Sequence, residues 1–312
     1  MKIKKDINES AIRIERFIHK TPVLTSQAIN KMADAELFFK CENFQKMGAF
    51  KMRGATNAIL QLSDTQKQKG VVTHSSGNFA QALSLAAKNV GVKAHIVMPS
   101  DAPQVKKDAV KGYGGEITEC MPTLEAREST SKKIQEEKGA TFVHPFNDFN
   151  VVLGNASAGK ELLDEHPELD CIVVPVGGGG LVSGTALSAI AFGNNCTVIG
   201  AEPFEVDDAF RSIEAGMIVH NSTTNTIADG LKTSLGDITF NIIKNHVQEI
   251  IRVTEEEIIE AMQLIWERMK IIVEPSSATA LAAILKSKQQ FSKKKIGIMI
   301  SGGNVDLKKL PF

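Results

Sequence analysis

The chain has 312 residues, 43% of them apolar and 23% charged, with 36 basic and 36 acidic side chains balancing to no net charge. That length and composition suit one or two soluble globular domains with a sizeable core, and the balanced charge leaves no basic face for a nucleic-acid backbone. The opening MKIKKDINES is charged and runs into no apolar stretch, so neither a secretory signal nor a membrane span is expected. Cys41, Cys120, Cys171 and Cys196 form no CxxC pair and read as free thiols in a reducing cytoplasm.

The first segment that carries chemistry is Ala49-Phe50-Lys51-Met52-Arg53-Gly54-Ala55. It opens a helix expected to run to about Leu62. Positions 51, 55, 58 and 62 share one helical stripe and read Lys, Ala, Ala, Leu. A lysine heading an apolar stripe is partly desolvated, which lowers its pKa from about 10.4 and favours the neutral amine. Neutral amines form Schiff bases. The alternative is a lysine that snorkels outward from the helix end.

Beyond it, short apolar runs alternate with helical patterns. The runs are VVTH (71–74), AHIVM (94–98), CIVVPV (171–176), TVIGAE (197–202) and IGIMIS (296–301). The helical patterns cover 78–89, 123–137, 181–192, 254–269 and 276–287. Such alternation predicts an α/β protein with two open, mostly parallel sheets flanked by helices. Residues 56–147 hold several βα units of their own. They read as a small mobile domain set into a larger one built from residues 1–55 and 148–312.

Three polar turns follow strands: His74-Ser75-Ser76-Gly77-Asn78, Gly177-Gly178-Gly179-Gly180 and Ser301-Gly302-Gly303-Asn304. Ligands of open α/β sheets bind beyond the carboxyl ends of strands, so the three turns predict one shared crevice. The four-glycine run leads into a helix, where crowded N–H groups and the helix N-terminus suit a phosphate. A tight turn needing positive φ would ask for one glycine, not four. The run matches neither GxxxxGK[ST] nor a GxGxxG dinucleotide turn. Ser75-Ser76-Gly77-Asn78 can hold a carboxylate, or Ser76 or Asn78 can simply cap the next helix.

Taken in order, AFKMRGA, THSSGN, VPVGGGGLVSG, AEP…DD, TIADGLKT, WERMK…VEPSSA and SGGNVD resemble the tryptophan-synthase-like (fold type II) pyridoxal-phosphate family. Within it the chain is most similar to the group of serine racemases and serine/threonine dehydratases. The resemblance spans nearly the whole chain. It implies pyridoxal 5'-phosphate in a cleft between two domains, with Lys51 as the Schiff-base lysine that also takes the substrate Cα proton. It implies that Phe50 packs beside the cofactor ring, Asn78 bonds its 3-hydroxyl, Gly177, Gly178, Gly179 and Gly180 cradle its phosphate, and Ser301 faces its pyridine nitrogen. Ser75, Ser76 and Asn78 would hold the substrate carboxylate. In the racemases the serine matching Ser76 reprotonates Cα from the face opposite the lysine. Glu202, the Val206 carbonyl and Asp208 resemble the family's divalent-cation site, for Mg²⁺ or Ca²⁺. A homodimer is the family expectation, and no appended C-terminal regulatory domain is expected.

The expected reaction is loss of water from a small 3-hydroxy amino acid, giving a 2-oxo acid and ammonia, with serine racemisation and 3-hydroxyaspartate dehydration as alternatives. Two departures bear on the substrate. Phe79-Ala80 stands where the family usually has a histidine, and Gly154-Asn155-Ala156-Ser157 stands where a GQGT-like turn is common. Rival readings are a nicotinamide dehydrogenase, a non-catalytic binding module and a β-replacement enzyme. The first leaves Lys51 and the SGGN turn without a task, and the second needs a lost catalytic group although Lys51, Ser76 and Ser301 are all present. The third carries different turn sequences.

Overall fold

The computed structural model describes residues 2–312. The strands are β1 (Val23–Leu24), β2 (Glu36–Cys41), β3 (Val71–His74), β4 (Ala94–Pro99), β5 (Glu116–Cys120), β6 (Thr141–Phe142), β7 (Cys171–Pro175), β8 (Thr197–Pro203), β9 (Glu249–Val253) and β10 (Lys295–Ile300). They form a six-stranded sheet in the order β1-β2-β10-β7-β8-β9 and a four-stranded sheet in the order β5-β4-β3-β6. Every pairing is parallel except β1 with β2. This is the expected α/β architecture. Every residue of β7 is buried, as an unalternating apolar strand covered on both faces requires.

The helices sort the cores. Glu255–Met269 and Pro275–Lys286 cover one face of the large sheet, where Ile258, Ile265 and Leu281 meet Val173, Ile298 and Ile300. Gly180–Phe192 and Asp237–His246 cover the other. Met52, Ala55 and Ile59 of the Lys51–Leu60 helix join Val71, Leu83 and Ile96 in the core of the small sheet. The domain boundary expected after residue 55 thus falls inside one unbroken helix. Among the described residues, no helix is long and apolar enough to cross a membrane.

Gly154-Asn155-Ala156-Ser157 is not a turn. It lies inside the helix Phe149–Glu165, whose first turn is capped by Asp148 accepting from the Asn150 and Val151 N–H groups. The flanking residues Val151, Val152, Leu153 and Ala158 are all buried, and that burial outweighs the poor helix propensity of Gly and Asn. Gly154 has a packing role. A Cβ there would lie 2.5 Å from the Arg53 carbonyl oxygen and 2.7 Å from Gly54 Cα, so glycine lets the Phe149–Glu165 and Lys51–Leu60 helices touch backbone to backbone.

Candidate active site

Lys51 sits where the two chain ends are stitched together. Met47 and Gly48 both have positive φ, 57° and 77°, and swing the backbone alongside the turn that follows β10. Gly303 N–H donates to Gly48 O (2.9 Å) and Phe50 N–H to Ser301 O (3.0 Å). Lys51 then opens its helix with its side chain turned inward. Its Nζ donates to Pro145 O at 3.0 Å and lies 4.9 Å from the Phe50 ring centre and 5.8 Å from that of Phe79. Burial pulls the amine down to about 8, against the upward pull of the nearby Glu274 carboxylate. This inward amine is not a snorkelling lysine.

The glycine run has two explanations at once. A Cβ on Gly177 would lie 2.9 Å from Gly230 O, one on Gly178 would lie 2.4 Å from the Phe146 ring, and Gly179 has a φ of +85°. Close packing and a left-handed turn therefore demand three of the four glycines without any ligand. Gly180 is tight against Phe146 as well, its Cβ position falling 3.1 Å from Phe146 Cβ. Even so, the N–H groups of Gly177, Gly178, Gly179 and Gly180 donate to no acceptor among the described residues. Four such donors at the start of the Gly180–Phe192 helix suit an anion.

At the end of β3, neither capping alternative is realised. Gly77 is the N-cap of the Asn78–Asn89 helix, with no side chain capping it. Ser75 Oγ accepts from Gly77 N–H at 3.3 Å, while the Ser76 hydroxyl makes no hydrogen bond among the described residues. Asn78 instead reaches across the cleft: Nδ2 donates to both Glu274 oxygens (3.0 and 3.1 Å), and its Oδ1 accepts from Asn304 Nδ2 (2.9 Å). That contact joins the first and third turns. Pro145 beside Lys51 and Phe146 beside Gly178 bring the second near them, so the three strand ends lie close together.

Glu274 escaped the sequence reading. It is nearly fully buried, and burial lifts its pKa to about 7, with Asp229 adding to the rise and Asn78 opposing it. An acid closing the apolar run Ile271-Ile272-Val273 was the available signal. His144 was also missed. Its Nδ1 accepts from the Phe146 and Asn147 N–H groups (3.3 and 2.9 Å), which assigns the proton to Nε2. Burial, with the His74 and Lys51 charges, pushes it down to about 4. Phe79 is buried in the small-sheet core, so the family departure there is a packing change beside the lysine.

Ser301, at the end of β10, is buried and 3.0 Å from the Ser277 hydroxyl. Glu202 and Asp208 lie away from the stitched turns, on β8 and on the Asp208–Ala215 helix. Glu202 accepts from the Ala209 and Phe210 N–H groups (3.1 Å each), and Asp208 accepts from Asn221 Nδ2 (2.6 Å) and Leu235 N–H (2.8 Å). Burial and the neighbouring Asp208 hold Glu202 well above the carboxylate range, and burial lifts Asp208 to about 7. Asp207 beside them is neutralised by Arg211 and Arg252 (2.6 and 2.9 Å). Two buried acids without a basic partner form a donor set that suits a hard cation. No cluster of three or more His, Cys, Asp or Glu residues able to hold a metal occurs among the described residues.

Comparison with known proteins bears on the family of the chain. The chain is 54% identical to serine racemase of Dictyostelium discoideum over 310 residues, 98% of this chain and 96% of that protein. It is 50% identical to the β-hydroxyaspartate dehydratase of Paracoccus denitrificans, covering 96% of this chain and 95% of that one. The solved structure of maize serine racemase superimposes with a TM-score of 0.95 at 48% identity, over 97% of this chain and 94% of that chain. Residues 14–302 match the family model described as pyridoxal-phosphate dependent enzyme, and this chain belongs to that family.

Proposed function

We propose that the protein is an ammonia-lyase that removes water from a small 3-hydroxy amino acid and releases a 2-oxo acid and ammonia. The observation that carries this reading is an inward, low-pKa amine on Lys51 in the same crevice as a cradle of free N–H groups at Gly177 to Gly180. Bound there, pyridoxal phosphate supplies the electron sink that stabilises charge at Cα. The protein's share is attachment, orientation and proton handling. Lys51 holds the cofactor and, as a neutral amine, takes the Cα proton. The glycine run binds the phosphate, Phe50 flanks the ring, Asn78 faces the 3-hydroxyl and Ser301 the ring nitrogen. The free hydroxyl of Ser76, with Ser75 and the N–H groups opening the Asn78–Asn89 helix, holds the substrate carboxylate. Residues 56–147, from which the four-stranded sheet is drawn, form the smaller domain that closes over it.

One observation favours a second reading. The Ser76 hydroxyl has no partner among the described residues, which leaves it able to return a proton to Cα from the face opposite Lys51. That would make the enzyme a serine racemase, as two of the relatives above are named. The test is to supply the holoenzyme with L-serine, L-threonine and 3-hydroxyaspartate and to measure 2-oxo acid release together with the optical rotation of serine. Keto acid from one substrate supports the lyase and names the substrate. Racemised serine without keto acid replaces the lyase reading by the racemase.

Glu202, Asp208 and the Val206 carbonyl complete the proposal as a site for Mg²⁺ or Ca²⁺. Dialysis against a chelator is expected to lower the melting temperature, Mg²⁺ or Ca²⁺ to restore it, and Asp208→Asn to abolish the response. A melting temperature indifferent to chelation removes the metal from the proposal.

A further inference from the structure

Ser277 lies in the first turn of the Pro275–Lys286 helix and is fully buried. Its hydroxyl meets three groups: Gly302 N–H at 2.8 Å, Gly302 O at 2.7 Å and the Ser301 hydroxyl at 3.0 Å. A serine hydroxyl has one proton and two lone pairs. The Gly302 N–H can only donate and occupies one lone pair. The Gly302 carbonyl can only accept, and it takes the proton. What remains on Ser277 is one lone pair, and the Ser301 proton fills it. In this direction Ser301 donates to Ser277 and can only accept from any other group.

The chain of hydroxyls can also run the other way. Gly302 O has a second donor, the Glu274 N–H at 3.1 Å. If Ser277 turns its proton onto Ser301, that carbonyl is still satisfied, and Ser301 is released to donate to a group on its far side. The contact between the two oxygens survives in both directions. We propose that Ser277 is a positioning residue for the cofactor ring: it holds the Ser301 oxygen in place and, by reversing one shared proton, lets Ser301 either accept from or donate to the ring nitrogen. A donor that itself accepts a hydrogen bond is polarised and donates more strongly. The inference rests on the reading that Ser301 faces that nitrogen.

The test is a double-mutant cycle on the cofactor itself. The dissociation constant of pyridoxal phosphate and the visible spectrum of the bound form are measured for the native protein, Ser277→Ala, Ser301→Ala and the double variant. Ser277→Ala is expected to weaken binding by about three- to tenfold, the range of one hydrogen bond, and to shift the visible band. In the Ser301→Ala background the same substitution is expected to change neither. Equal weakening in both backgrounds would mean that Ser277 only supports the Gly302 turn, and would overturn the inference. An undisturbed constant and band in Ser277→Ala would do the same. If Ser301→Ala alone leaves both readouts unchanged, the underlying placement of Ser301 fails, and this inference fails with it.

Discussion

Replacing Lys51 with alanine is expected to abolish the visible band of attached cofactor and to lower turnover on the order of 10⁴-fold or more. The loss should be one of chemistry and not of folding. In the folded protein burial depresses the Lys51 pKa to about 8, below the value of about 10.4 that it has in an unfolded chain. Folding therefore favours the neutral amine. As pH falls from about 10.4 through about 8, the unfolded chain takes up a proton first, and stability is lost. Below that window, at neutral pH, Lys51 is a burden on the apo-protein. Apo Lys51→Ala should thus melt no lower than the native apo-protein at neutral pH, which thermal denaturation measures. In the native protein, the rate of cofactor capture followed by absorbance should rise with pH about a midpoint near 8. A midpoint at the ordinary lysine value would refute the buried amine. Glu274→Gln should lower the midpoint further, because the Glu274 carboxylate is the group that pulls Lys51 upward.

The second large effect concerns Arg53, two residues beyond Lys51 and on the opposite side of its helix. It is fully buried. Its Nε and Nη2 donate to the two oxygens of buried Glu42 (2.7 and 2.9 Å). Its Nη1 and Nη2 donate to those of Glu161 (2.7 and 2.8 Å), and Nη1 also reaches Ser157 Oγ (3.0 Å). Lys40 Nζ completes the group with 2.7 Å bonds to Glu161 and to Thr21 O. Two buried cations thus face two carboxylates, of which Glu42 is fully buried and Glu161 partly exposed. Removing one partner leaves a buried charge uncompensated, which costs about 3–5 kcal/mol. Arg53→Met is expected to show that loss in urea unfolding. Adding Glu42→Gln should recover part of it, because the stranded charge is then gone. A cost for Arg53→Met below about 1 kcal/mol would contradict the paired network. The network also fastens the back face of the Lys51–Leu60 helix to Glu42, just beyond β2, and to the Phe149–Glu165 helix, so its front face presents the lysine.

Much of this was readable along the chain. The strands at 71–74 and 197–202 and the helix at 78–89 are local patterns, since apolar period and turn residues lie within a few positions of each other. The candidate lysine was singled out by the family resemblance, since an apolar stripe headed by lysine also fits a side chain that snorkels outward. β2, β9 and the Lys2–Ile14 helix were passed over. Their apolar runs are short and broken or bounded by charged residues such as Lys40, Arg252 and Glu9, and only neighbours distant in sequence complete the buried face.

The sequence by itself determined the α/β class, the positions of the three polar turns and the identity of the buried amine. Tertiary structure alone decided what each residue meets. It made Gly154 a helix-packing residue where a turn was expected, because Arg53 and Gly54 come from a segment a hundred residues away. It assigned Gly178 to the Phe146 ring, brought Glu274 to Asn78, and gave Ser301 its partner in Ser277. The physical reason is the same each time. Periodicity records which side of an element is dry, whereas hydrogen-bond partners and close approaches depend on where a second element docks, and no short stretch of chain contains both.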